Sequence, residues 1–171
     1  HLSGKETPMR SLITLLSSGA AGVLLVSYHW QRLPEKVASH FNGSGAVDGW
    51  MSRDANYFLS AGVLIGLTAM FYFIGLMMRR LPKKWVNLPN KDFWFAADRE
   101  QATRLHLATW AWTFGALLNL FLIFVFHQVF LANMADPVAM DNTAMFAGLA
   151  IYLAVSLGSV VFLLLRYTKA R

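Results

Sequence analysis

The sequence predicts an all-α polytopic membrane protein with four transmembrane helices and both termini cytoplasmic. Three observations predict it. Of the 171 residues, 56% are hydrophobic and only 14% charged, against about 25% charged in a soluble domain. Four apolar stretches each reach the roughly 20 residues that a helix needs to cross about 30 Å of hydrocarbon. Lys and Arg gather beside the ends of those stretches, which is a signal of membrane topology. The net charge of +6 therefore points to a lipid bilayer as partner and not to nucleic acid. The chain has no cysteine, which removes disulfides, thiolate metal sites and cysteine nucleophiles.

Residues 1–8 carry no apolar periodicity and read as a non-native remnant before Met9; residues 9–171 read as a single four-helix membrane domain. The first span is expected at about 11–30. It is rich in small residues from Ser17 to Gly22, which favours close helix contact. Tyr28 and Trp30 close it as an interfacial belt.

A polar loop follows, residues 31–55, and it is the most chemically varied stretch of the chain. Pro34 suits the first position of a helix, so two helical turns are expected over 35–41, with Val37 and Phe41 on one face. Gly43 and Gly45 allow the chain to reverse. The apolar side chains Leu33, Val37, Phe41 and Trp50 predict an ordered cap on the bundle, since burying one such side chain is worth roughly 1.5–3 kcal/mol.

The second span is expected at about 56–78. Gly62 and Gly66 form a GxxxG pair, a candidate helix-packing face. A second polar loop, residues 79–104, begins Arg79-Arg80 and continues Lys83-Lys84. Pro82 and Pro89 break it, and Asp92 is placed to cap an interfacial helix starting at Phe93. The third span is expected at about 105–131 and the fourth at about 143–165. In the fourth, Ala150, Ala154 and Gly158 recur every four residues as a second packing stripe. Either stripe suits an oligomer or an accessory role in a larger membrane complex.

Twelve of the fifteen Lys and Arg residues fall at the termini and in the second loop, and three in the first loop. The positive-inside rule then puts the first loop and the 132–142 connector outside. The basic inner loop attracts anionic headgroups.

The run Leu33-Pro34-x-x-Val37-x-x-His40-Phe41-x-x-x-Gly45-x-x-Asp48-x-Trp50 lies between two spans. It resembles the bacterial membrane domain of unknown function found in SdpI-type toxin-immunity proteins, over about residues 15–70. The segment Asn87-Leu88-Pro89-Asn90-Lys91-Asp92-Phe93-Trp94 is similar to segments of small proteins carrying that domain. The resemblance implies the bacterial inner membrane, an outward loop and an immunity-like role against a peptide or toxin. The further membrane region of the SdpI-type proteins, with its own signature, is not seen here.

Two candidate sites follow. The first is a ligand-binding loop of His40, Phe41, Asp48 and Trp50. The second is a divalent metal site, such as zinc, built from His29, His40 and His127, which the expected topology brings to the outer side. Asn119 shares a face of the third span with His127 and suits an interhelical hydrogen bond. Signatures of metalloproteases, serine hydrolases and phosphate loops are absent from the sequence, so a binding or sensing protein stands ahead of an enzyme. The spans carry no Asp, Glu, Lys or Arg, which weighs against a proton pump or ion-coupled transporter.

Overall fold

The computed structural model describes residues 3–169, with side chains from residue 8 onward. The elements run α1 (Ser3–Trp30), β1 (Lys36–Phe41), β2 (Val47–Ser52), α2 (Arg53–Met78), a short 3₁₀ turn (Lys83–Trp85), α3 (Lys91–Trp94), α4 (Glu100–Met134) and α5 (Asn142–Thr168). Among the described residues, four helical stretches are long and apolar enough to span a membrane: Pro8–Trp30, Arg53–Met78, Glu100–Met134 and Asn142–Thr168. The remnant expected at 1–8 lies mostly outside the described side chains.

Helices α1, α2 and α4 pack on one another, and α5 lies against α4. At one end Leu15, Ala108, Trp112 and Ala116 are buried among Leu12, Phe71, Tyr72 and Leu76. Toward the other end Val26, Ala61 and Leu64 are buried beside Tyr57, Leu122 and Phe126. In lipid, apolar contact between helices has no hydrophobic driving force of its own, so polar ties and close packing decide the arrangement. The central tie is Asn119, fully buried. Its Nδ2 donates to Ser18 Oγ at 3.1 Å and to Thr68 Oγ1 at 2.9 Å, joining α4 to α1 and α2.

The packing faces differ from the expected stripes. A Cβ built at Gly62, Gly66 or Gly158 meets nothing of this chain within 4 Å, and Ala150 and Ala154 are exposed. These faces are turned away from the bundle, so within the chain they join no helices. The tight approaches fall at Gly19 against Thr68, Gly75 against Trp112, Gly115 against Phe71 and Gly148 against Phe124.

Two expectations in the loops are corrected. Residues 36–41 are a strand, not two helical turns. Val37 and Ala38 lie opposite Met51 and Trp50 in an antiparallel register, and this nonlocal pairing overrides a helix-compatible local pattern. In the second loop the helix after Asn90 lasts only from Lys91 to Trp94. Asp92 does not cap it. Its carboxylate meets Lys83 Nζ at 2.8 Å instead. The Asn90 amide and Trp94 Nε1 are directed to the carbonyls at the end of α5: Asn90 Nδ2 reaches Thr168 O at 2.9 Å, and Trp94 Nε1 reaches Tyr167 O at 2.9 Å. These bonds satisfy carbonyls that a helix C-terminus leaves without partners.

Candidate functional site

The first loop folds as an antiparallel hairpin over one end of the bundle. Lys36 pairs with Ser52, Val37 with Met51 and Ala38 with Trp50. The register then shifts twice, leaving Ser39 on one strand and Asp48 on the other without a cross-strand partner. Such bulges bend a strand and re-aim its side chains. Here Val37 and Ala38 are both fully buried, Ser39 borders the interior, and His40 turns outward.

The tip is built by Asn42. Its Oδ1 accepts from the backbone of Ser44 at 2.9 Å and of Ala46 at 3.1 Å, a local side-chain turn that Asn favours. Gly45 sits at φ +84°, where a Cβ is strained, and that Cβ would come within 2.6 Å of Met140 O. The close approach lets Met140 N donate to Gly45 O at 3.0 Å, while Asn142 Nδ2 donates to Gly43 O at 2.8 Å. The hairpin tip is thereby tied to the connector before α5.

The base of the hairpin is tied to α4 by Asn133. Its Oδ1 accepts from Ala38 N at 2.7 Å, and its Nδ2 donates to Ala38 O at 2.9 Å. The amide side chain thus takes the place of a third strand at that residue. Arg53 closes the other edge. Its backbone N–H donates to Glu35 O at 2.9 Å, and its guanidinium reaches Leu33 O at 3.3 Å.

Beneath this cap is a cavity of about 310 Å³, bounded by α1, α2, α4 and the hairpin. Its walls are largely apolar, including Val26, Leu33, Leu122, Phe126 and Val129, with a few polar groups from His29, Ser39, Asn56, Tyr57 and Ser60. Among the described residues, no acidic, lysine or arginine side chain lines it. Apolar walls with a few placed polar groups are the usual make-up of a small-molecule site.

His29 and His127 meet here. The His29 ring stacks on Phe130, with centroids 4.0 Å apart and planes within 4°. His29 Nε2 lies 3.2 Å from His127 Nδ1, so one imidazole donates and the other accepts. Tyr57 Oη accepts from Ser27 Oγ at 3.3 Å, and Trp30 Nε1 donates to Asp54 at 2.8 Å. These contacts fix the mouth of the cavity between α1 and α2.

The three-histidine metal site does not form as one cluster. The structure joins His29 to His127 but carries His40 to the outer face of the hairpin, paired with Asp48, with 73% of its side chain exposed. Among the described residues no three His, Asp or Glu side chains are placed to hold a metal ion. The mutual hydrogen bond also uses the lone pair of one of the two imidazoles. The ligand-loop set is divided similarly. His40, Asp48 and Trp50 face outward and Phe41 is half-buried, so they form a rim and not a pocket. An exposed polar contact such as His40–Asp48 contributes about 1 kcal/mol or less.

Ser39, Tyr57, Ser60, Phe130 and Asn133 are the site residues that sequence reasoning missed. Tyr57 and Ser60 carry a weak signal, as polar groups in the first turns of a span. Asn133 lies at a span end, where polar residues are ordinary, and nothing local reveals its partner across the bundle.

A family model described as a domain of unknown function, DUF1648, matches residues 19–65. That stretch contains the second half of α1's membrane segment, the whole hairpin and the first half of α2, which contribute to three of the four walls of the cavity. No curated protein and no solved structure matches the chain.

Proposed function

We propose that this chain is a small binding or sensing protein of the bacterial inner membrane, receiving an uncharged, largely apolar group in the cavity beneath its outer hairpin. The cavity carries the reading: about 310 Å³, largely apolar, with a few hydrogen-bonding groups and, among the described residues, no Asp, Glu, Lys or Arg in its wall. Burying a charge there without a partner is costly, whereas an apolar side chain or short acyl segment displaces no paired ion. The distribution of Lys and Arg supports an outward hairpin. In this reading the bearer of that group is a membrane-active peptide or toxin, the class of partner that the resemblance of the Leu33–Trp50 run to SdpI-type proteins implies. The exposed rim of His40, Asp48 and Trp50 would meet the remainder of such a molecule. Occupancy is sensed mechanically in this reading. Leu33, Ser39 and Met51 from the hairpin side line the same space as α4, and Asn133 couples the two.

Ser60→Phe tests it. Ser60 is 5% exposed, and phenylalanine there fills the space from the α2 side. Protein purified from membranes is extracted into organic solvent and analysed by mass spectrometry. The wild type should release an uncharged amphiphile in near-stoichiometric amount, and Ser60→Phe should not. Empty extracts from both proteins, with Ser60→Phe simply melting higher, would mean that the space is a packing void.

A further inference from the structure

The end of the bundle opposite the hairpin has a charge surplus that the fold itself creates. In the second loop every carboxylate is engaged. Asp92 meets Lys83 at 2.8 Å, Asp98 meets Arg99 at 3.1 Å, and Glu100 meets Arg104 at 2.8 Å. The hydrogen bond and charge of Lys83 hold the Asp92 carboxyl below its ordinary value, which leaves it charged and committed. Arg104 is also directed inward: its Nη1 reaches Leu81 O at 2.6 Å, drawing the start of the loop onto α4.

Four cations of the loop remain without a carboxylate partner among the described residues: Lys91, which is half-buried, and Arg79, Arg80 and Lys84, which are all exposed. Trp85, 69% exposed, lies beside Lys84, whose Nζ is 5.9 Å from the ring centre. An exposed tryptophan next to cations is the composition of a membrane–water boundary.

An apolar strip leads to these cations. Met70, Phe73 and Met77 recur at steps of three and four residues along α2, whose end passes directly into Arg79 and Arg80. All three apolar members are exposed, Phe73 by 63%. A free anion would need only the cations, whereas a headgroup with attached chains uses both parts. We propose that Arg79, Arg80 and Lys84, with the strip from Met70 to Met77, form a binding surface for an anionic phospholipid. The phosphate takes the guanidinium groups and the acyl chains lie along α2. Arg79 and Arg80 present planar donor forks suited to phosphate oxygens.

The test uses the full chain in a neutral detergent, titrated with phosphatidylglycerol or with phosphatidylcholine of the same acyl chains, and read as retained lipid by native mass spectrometry. The wild type should retain phosphatidylglycerol preferentially, and inorganic phosphate at equal concentration should not displace it. Replacing Arg79, Arg80 and Lys84 together by glutamine should reduce the preference on the order of tenfold or more, since each cation near a headgroup contributes severalfold in affinity. Replacing Arg166 and Lys169 by glutamine should leave it within about twofold, because those cations lie outside the surface. The wild-type comparison needs no variant to fold. Equal retention of the two lipids by the wild type overturns the proposal. So does a preference that survives the triple substitution, a preference lost equally in the Arg166/Lys169 variant, or displacement by inorganic phosphate.

Discussion

Asn133→Ala should release the hairpin from the bundle while leaving the four spans in place. Asn133 is 7% exposed and Ala38 is fully buried, so neither group has water as a ready substitute. The wild-type side chain satisfies both backbone groups of Ala38, at 2.7 and 2.9 Å. Removing it leaves a buried N–H and a buried C=O without partners, each costing about 1–3 kcal/mol. Partial hydration of the opened edge reduces the sum, and a local cost of about 2–4 kcal/mol follows. Every 1.4 kcal/mol is a factor of ten in an equilibrium, so amides that exchange by local opening of residues 36–52 should exchange roughly thirtyfold to several-hundredfold faster. Hydrogen exchange with peptide-level mass spectrometry reads this directly, with peptides from α2 and mid-α4 as internal controls. Asn133→Asp keeps an acceptor for Ala38 N–H but loses the donor, and should fall between wild type and alanine. Hairpin exchange that is already fast in the wild type, or unchanged in Asn133→Ala, would refute the clamp and with it the roofed cavity.

Two further outcomes follow from the packing and the charge distribution. Gly62→Leu and Gly66→Leu should lower the melting stability of the detergent-solubilised chain by no more than about 0.5 kcal/mol, because nothing beyond the helix's own neighbouring backbone lies within 4 Å of either Cβ. Gly115→Leu should destabilise by about 1–3 kcal/mol or more through overpacking, since its Cβ would meet Phe71 at 2.5 Å and Leu15 at 3.0 Å; a large loss at Gly62 in a monomer would contradict the outward face. Cysteine at Ser44 should react with an impermeant thiol reagent in intact spheroplasts and cysteine at Asn90 should not, and the reverse pattern would invert the orientation on which the proposed function rests.

The division between what was legible in the sequence and what was not follows the range of the interactions. Transfer of about 20 apolar residues into hydrocarbon is a property of each segment alone, so four spans could be read from composition and order. The ordered cap was also legible, because Leu33 and Val37 are too apolar for a solvated linker, and both are buried. Its secondary structure was not. Lys36 to Phe41 is compatible with either a short helix or a strand, and only pairing with Val47–Ser52 decides between them. The same limit separated the histidines. Shared sidedness gathered His29, His40 and His127 in one argument, but a bulge at Ser39 turns His40 outward while α1 and α4 bring the other two within 3.2 Å. Small-residue spacing suggested Gly62, Gly66 and the Ala150 stripe as contacts. Spacing names a face without saying which way it points, and the rotation of each helix is set by ties such as Asn119 to Ser18 and Thr68. The sequence by itself determined how often the chain crosses the bilayer and where its caps lie, since burial in lipid is additive along the chain. The tertiary structure alone decided the cavity, the clamp at Asn133 and the surplus of cations at Arg79, Arg80 and Lys84, since each depends on which distant partner occupies which side chain.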